Sequence, residues 1–567
     1  MVDRDARLIV IGIDGLTWRD ARRSLQAGIM PQLRALGNGA VLAPVVGADD
    51  ESGLAAWTTL ATGLFAEDHG VCFADEAGPA GQLRPTTRRS WTARPWWEAA
   101  DAAGLPIASV AWPANAPGAH LPGDQIDDRI AFATGPDRDR WALPLQCAAP
   151  ATRSALRDRR IHPTDIAAAL VARFVTDLGL IDQSRDPWLP HIAVALARAA
   201  TVQAASVRAL EEGTASVVVL HQRWLADMRA AFDPAPSPVF APAMPMAFAF
   251  LDDMIGRLAT SAGPNATVLL MSPDLDGEAG FLLATGPGAG QATGNPIRVQ
   301  DIVPTLLGHL GLADPDLPGK VQPFLTQRSD PRLVPPSLGP SPVTAVKPLD
   351  PRLTRLGYHH PQPVPSAWYA HRSALVALLI LPRAPETALI RAQAAWAIDP
   401  DNLPALYAIA LAAFALRKPA ALEGVAEAFD RLAPQRIWGD LVRGAHALLQ
   451  GDPAGAAAIL PRNLSDTDPR ALAHLADLWM LAQRPIEAKR LYARLRDADP
   501  RNRQADLGLA RCAIELRDYH QAETRLRALR EESPFTPQIY EMLALLYAVT
   551  GRTNEARQMD RIRQSLE

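Results

Sequence analysis

Leu8-Ile-Val-Ile-Gly12-Ile-Asp14-Gly15 is an apolar run of strand length that closes on a carboxylate and a glycine. The run reads as an apolar strand that ends in a carboxylate. Similar short runs recur at Ile107 to Ala111, Ser216 to Leu220 and Thr267 to Met271. Helical patterns lie between them, as in Arg94 to Ala103 and Pro245 to Thr260. This alternation over residues 7 to about 325 predicts an α/β sandwich on a mainly parallel sheet. Ligands of such sheets gather at the carboxyl ends of strands. That rule singles out Asp14. The segment around it is not a dinucleotide fingerprint, because the spaced third glycine is missing.

The 567 residues are enough for two or three domains. A net charge of -4 argues against a polyanion-binding surface and hence against nucleic acid as a partner. The three cysteines, Cys72, Cys147 and Cys512, are far apart and fit neither a zinc site nor a disulfide framework. The polar lead Met1 to Ala6 leaves no room for a signal peptide before the first strand. The aliphatic run Ala374 to Leu381 is too short to span a bilayer. A cytoplasmic protein without a transmembrane segment is expected.

Further along, Met30-Pro31-Gln-Leu33 is followed by Gly53-Leu-Ala-Ala-Trp57-Thr58-Thr59-Leu-Ala-Thr62-Gly63 and then His69-Gly70. Trp112-Pro113-Ala-Asn-Ala-Pro117 precedes Gly123 and Asp127. Thr285-Gly-Pro-Gly288, then Asp301-Ile-Val-Pro304-Thr305-Leu306 with Gly311, and Pro318-Gly319 close the series. In this order the elements resemble the alkaline phosphatase superfamily, in its type I phosphodiesterase/nucleotide pyrophosphatase branch. The resemblance implies an alkaline phosphatase-like sandwich over residues 1 to 328, with a helical insertion at about 140 to 215. It also implies two metal ions about 4 Å apart that polarise a phosphate and activate a nucleophile.

The residues at the implied positions do not supply that chemistry. Asp14 matches the first metal ligand. The nucleophile position, nine residues before Thr62, is Gly53, which has no hydroxyl. Ser52 reaches the position only with a one-residue slip, and Asp49, Asp50 and Glu51 crowd the same loop. The expected Asp-x-x-x-His pair falls on Ala226 and Ala230 in one register and on Asp227 and Ala231 in the other. The expected Asp-His pair falls on Asp274 and Leu275. His221 reads as a satisfied pocket-wall residue, and His69 as a structural one. The expectation is a vestigial pocket with no catalytic residue, no metal and no cofactor. Two alternatives stay open. One is a hydrolase using Ser52 or a metal-activated water, with a divalent ion (zinc, or magnesium or calcium at Asp14, Asp227 and Asp274). The other is a non-hydrolysing sensor of a phosphorylated or sulfated ligand, with Arg223 or Arg229 as its cation.

Residues 329 to 366 are rich in Pro and Ser and read as a linker. Beyond them, prolines at 400, 434, 469, 500 and 534 follow helical patterns, and alanines recur at 488, 522 and 556. A 34-residue period, with a small residue where two helices touch, resembles tetratricopeptide repeats. About five repeats are expected over 367 to 567, irregular near 435 to 467, where Pro461 cuts a helix short. Such solenoids are binding surfaces. A protein partner is expected at residues 384 to 567, so the whole chain reads as a scaffolding protein.

Overall fold

The computed structural model describes residues 7–47, 53–77, 83–115, 125–131, 150–157, 159–182, 185–273, 278–291, 295–337, 366–382, 384–461, 469–500 and 502–566. The chain divides into two compact units, Met1–Gln362 and Pro363–Glu567.

The first unit is built on an eight-stranded sheet. In chain order its strands are β1 (Leu8–Ile13), β2 (Val41–Val46), β3 (Ile107–Val110), β4 (Gln125–Ile126), β5 (Val217–Gln222), β6 (Thr267–Met271), β7 (Gly280–Thr285) and β8 (Ile297–Arg298). In space they run β8-β2-β7-β6-β1-β5-β3-β4. Only β7 is antiparallel to its neighbours, β2 and β6. The apolar character of β1 follows from its central place between β5 and β6. Ile9, Ile11 and Ile13 point into one core layer, and Leu8 and Val10 into the other.

The first layer holds the helices Trp188–Glu211, Trp224–Phe232 and Ala243–Ala262, and the second holds Gly53–Thr62, Trp96–Ala102 and Val299–His309. The region expected as a helical insertion contributes to the core, through Ile192, Leu196 and Val202 of its long helix. Pro238–Ala262 is the one helical segment among the described residues long and apolar enough to cross a membrane. It is longer than the aliphatic run weighed from sequence. Its Phe248, Leu251, Ile255 and Leu258 pack into the core, and its buried Asp252 accepts hydrogen bonds from the Gln32 and Leu33 amides at 2.8 Å each. A carboxylate fixed in this way to a neighbouring helix start suits a core helix.

The second unit contains twelve α-helices among its described residues, from Ser366–Ile380 to Thr553–Leu566, in six successive pairs. That is one pair more than the proline spacing indicates, because the pair Ser366–Ile380 and Pro385–Ile398 has no proline mark of its own at its start. Pro400, Pro434, Pro500 and Pro534 do follow helices. Pro469 instead opens Pro469–Leu481, at a position where a missing N–H costs nothing. The helix Pro453–Ile459 is short, as Pro461 foretells. Close approach between helices explains the small residues: Ala488 and Ala522 are fully buried, and a Cβ at Gly508 would lie 2.5 Å from the Tyr492 ring.

Candidate functional site

The carboxyl ends of β1, β5 and β3 converge on one region. β1 delivers Asp14, β5 delivers His221 and Gln222, and β3 runs into Ala111-Trp112-Pro113. Gly15, at φ 86°, turns the chain sharply after Asp14. A Cβ there would meet the Ala226 backbone nitrogen at 2.8 Å, so glycine allows the helix Trp224–Phe232 to dock against the strand end. The Ala226 amide donates to the Asp14 carbonyl at 3.1 Å.

The residue facing Asp14 from the helix Gly53–Thr62 is Trp57. Gly53 is the first residue of that helix, and Trp57 lies one turn further on. Its indole lies over Gly12, where any Cβ would come within 2.6 Å of the ring. Trp57 meets the His221 ring edge-on at a centroid distance of 4.5 Å, and Trp112 approaches both rings at 5.5 and 6.0 Å. The Trp57 N–H tempers the charge of Asp14, yet finds no partner at hydrogen-bond geometry. Burial raises the Asp14 pKa above the ordinary carboxylate value, with Asp227 adding to the shift and Arg223 opposing it.

His221 is buried and pushed down to about 3, chiefly by desolvation and then by the Arg223 charge. It is neutral at physiological pH. Its ring hydrogen-bonds the Ala111 carbonyl, and its Nε2 is left without a partner. The sequence reading of a satisfied histidine is corrected here: it lies in the pocket wall, but one nitrogen is unpaired. Ala111 and Ala114 sit at φ 56° and 51°, a left-handed conformation that is costly for residues with a Cβ. The Trp112-Pro113 turn is thus held in a strained shape beside the strand ends.

Asp227 is buried and committed to two arginines. Arg198 Nη1 donates to Oδ2 at 2.8 Å, and Arg223 Nε donates to Oδ1 at 3.0 Å. Asp227 therefore anchors cations, and the role of metal ligand considered for it is taken up by arginine. Ala226 is half-buried and Ala230 exposed, so neither brings a polar side chain to the strand ends. Ser52, Asp274 and Leu275 lie outside the described residues. Arg229, considered as a ligand-binding cation, is used in the fold: it donates to the Gly15 carbonyl at 2.6 Å and pairs with Asp20 and Asp233. His69 is buried; its Nδ1 accepts from the Val71 amide at 3.1 Å and its Nε2 meets Thr59 Oγ1 at 3.1 Å, a structural role. Arg198 was missed from sequence. It lies in a long, nearly featureless helix, and only the fold brings it to Asp227.

A two-metal centre needs three or four oxygen or nitrogen donors for each ion. Asp14 is surrounded instead by an indole N–H, an arginine and a histidine already bonded to a carbonyl. Among the described residues no three His, Cys, Asp or Glu side chains converge. Among the described residues, the donors do not fit such a centre.

Beside this cluster is a cavity of about 330 Å³. Its polar wall is Asp128, Arg198, His221, Gln222, Arg223 and Asp227.

Comparison with known proteins matches part of each unit to a family. Residues 8–272 match the type I phosphodiesterase / nucleotide pyrophosphatase family, and residues 480–546 match the tetratricopeptide repeat. No curated protein matches the chain. Among solved structures, the chain is similar to the phosphonoacetate hydrolase of Sinorhizobium meliloti in complex with phosphonoformate, with 16% identity and a TM-score of 0.30 over 48% of this chain and 59% of the other. It is similar to murine ectonucleotide pyrophosphatase/phosphodiesterase 5 with 17% identity and a TM-score of 0.26, over 47% and 56% respectively. It is also similar to PilF of Pseudomonas aeruginosa with 17% identity and a TM-score of 0.26, over 34% and 90%. The chain thus spans little more than half of the two enzyme-family structures. At these scores the likenesses carry no argument, and the assignment rests on the family matches and the sheet. A phosphodiesterase-like domain is fused to tetratricopeptide repeats.

Proposed function

We propose that the phosphodiesterase-like domain is catalytically silent and that the chain acts as a scaffold whose repeat arm binds a protein partner. One observation carries this reading. Where the family would place a nucleophile and metal-ligating imidazoles around Asp14, this chain has Gly53, the ring of Trp57 and an Asp227 already paired with Arg198 and Arg223. Gly53, at the nucleophile position, has no hydroxyl to attack phosphorus. The described carboxylates are not gathered to activate one. The proposal includes no metal or other cofactor and a cytoplasmic location.

With chemistry gone, contacts are what the chain offers. Tetratricopeptide repeats in general mediate protein–protein interaction, and stacked helix pairs present side chains along a continuous surface. The partner site is assigned to residues 384–567. Pull-down from a lysate with the full chain, residues 1–330 and residues 367–567 tests this. The full chain and the arm should recover the same partner. Recovery by residues 1–330 alone would move the binding function to the sheet-end pocket.

A further inference from the structure

The cavity beside Asp14 has a definite chemical preference, and its hydrogen-bond network fixes what that preference is. Gln203 Nε2 donates to the Met254 carbonyl at 3.0 Å, which orients the Gln203 amide. Its oxygen therefore faces Gln222 and accepts from Gln222 Nε2 at 3.1 Å. This leaves Gln222 Oε1 as the free atom. It is an acceptor, on a residue only 2% exposed, and it has no partner. His221 Nε2 is likewise unpaired on a neutral ring. Leaving a buried acceptor unmet is unfavourable, and a bound donor would remove that cost.

The charges in the cavity are balanced. Arg198 and Arg223 are both bound to Asp227, and Asp128 lies within the field of Arg223. A phosphate or sulfate dianion would have to compete with Asp227 for both guanidiniums while facing two carboxylates. An amine would face two cations. A neutral molecule rich in hydroxyl groups meets neither obstacle. Its O–H groups can donate to Gln222, His221 and the carboxylates, and its oxygens can accept from the exposed end of Arg223. Pro113, Val202 and Trp224 supply an apolar wall for the C–H face of a ring. The volume is at the small end of ligand pockets and suits a single ring.

We propose that this cavity binds a neutral polyhydroxylated ring, a monosaccharide or cyclitol, without any reaction. The proposal goes beyond the scaffold reading and does not depend on it. The test is isothermal titration of the full-length protein with glucose, galactose, mannose, N-acetylglucosamine and myo-inositol. Glucose 6-phosphate, inorganic phosphate and ethanolamine complete the panel. At least one neutral probe should bind saturably and more tightly than the three charged probes. Gln222→Leu should weaken that binding about tenfold, the equivalent of one lost hydrogen bond to a buried acceptor. Val202→Phe, which narrows the cavity from its apolar side, should abolish binding, and it keeps the test informative if Gln222→Leu fails to fold. Binding of no neutral probe, tighter binding of a charged one, or full affinity in Val202→Phe would overturn the assignment.

Discussion

His221 and His474 are both buried, at 4% and 6% exposure, and both are held neutral by desolvation, with pKa values of about 3 and about 4. Their settings differ. His474, in the arm, stacks on Trp438 with 16° between the planes and takes the edge of Phe414. It is an aromatic packing element. His221, at the sheet end, also touches tryptophans, but it lines a cavity and keeps an unpaired nitrogen. The contrast extends to their surroundings. Among the described residues, the first unit carries unpartnered buried atoms on Trp57, Trp112, His221 and Gln222 near the sheet end and on others such as Trp91 and Trp96, whereas in the arm only Asn402 and Arg525 carry one. The arm has the satisfied interior of a structural solenoid. The sheet end has the polar burial of a ligand site.

The largest effects should come from the two tryptophans at these centres. Trp57→Ala and Trp438→Ala each remove a side chain that is 1% exposed and should each cost about 3–5 kcal/mol. The difference lies in where the cost appears. In urea unfolding followed by hydrogen exchange, Trp57→Ala should lower protection in β1 and β5, and Trp438→Ala in the helices of the arm. If either substitution lowered protection equally in both units, the two regions would not be independent in the way the comparison requires.

The histidines give a smaller, pH-dependent effect. Their folded pKa values lie below the ordinary 6.5. On acidification the unfolded chain takes up these protons first, so stability is fully present above about pH 6.5. It is lost as pH falls toward 4 for His474 and toward 3 for His221. Across its window His474 should contribute on the order of 3 kcal/mol and His221 on the order of 5 kcal/mol. His221→Phe and His474→Phe should each flatten the stability profile between pH 3 and 6.5, measured by urea midpoints. A profile unchanged by either would show that the ring is not buried as a neutral group.

Asp14→Asn should have the least effect. Its pKa is raised, so its contribution to stability is fully present below the unfolded carboxylate value of about 4 and is lost as pH rises through the folded pKa. Removing the charge should leave stability at pH 7 unchanged or raise it by less than about 1 kcal/mol. A large loss would mean that Asp14 is held as a charged ligand.

Much of this was legible in the residues. The apolar run of β1 announced a strand ending in a carboxylate, and the ordered motifs located the strand ends. The 34-residue spacing announced the arm, although a proline can open a helix as well as end one, and Pro469 does so. The site was legible only as a set of missing residues. Gly53, Ala226 and Leu275 could be seen to lack the needed atoms. What replaced them could not be seen. Trp57 reads as one more buried aromatic until Gly12 is found beneath it. Arg198 and Asp227 are 29 residues apart in sequence and meet only because two helices pack on the same face of the sheet. The free acceptor on Gln222 depends on the orientation of Gln203, and no periodicity carries such a fact.

The central claim is that the domain has kept its pocket and lost its chemistry. It is tested most directly by hydrolysis of a phosphodiester model substrate, bis(4-nitrophenyl) phosphate, by the full chain with zinc or manganese supplied. Bound metal is measured by elemental analysis of the same sample. The account predicts turnover no different from buffer, substoichiometric metal, and no gain from Gly53→Thr, because the restored hydroxyl would have no ions to activate it. Two ions per chain with turnover that falls in Asp14→Asn, or activity rescued by Gly53→Thr alone, would contradict it.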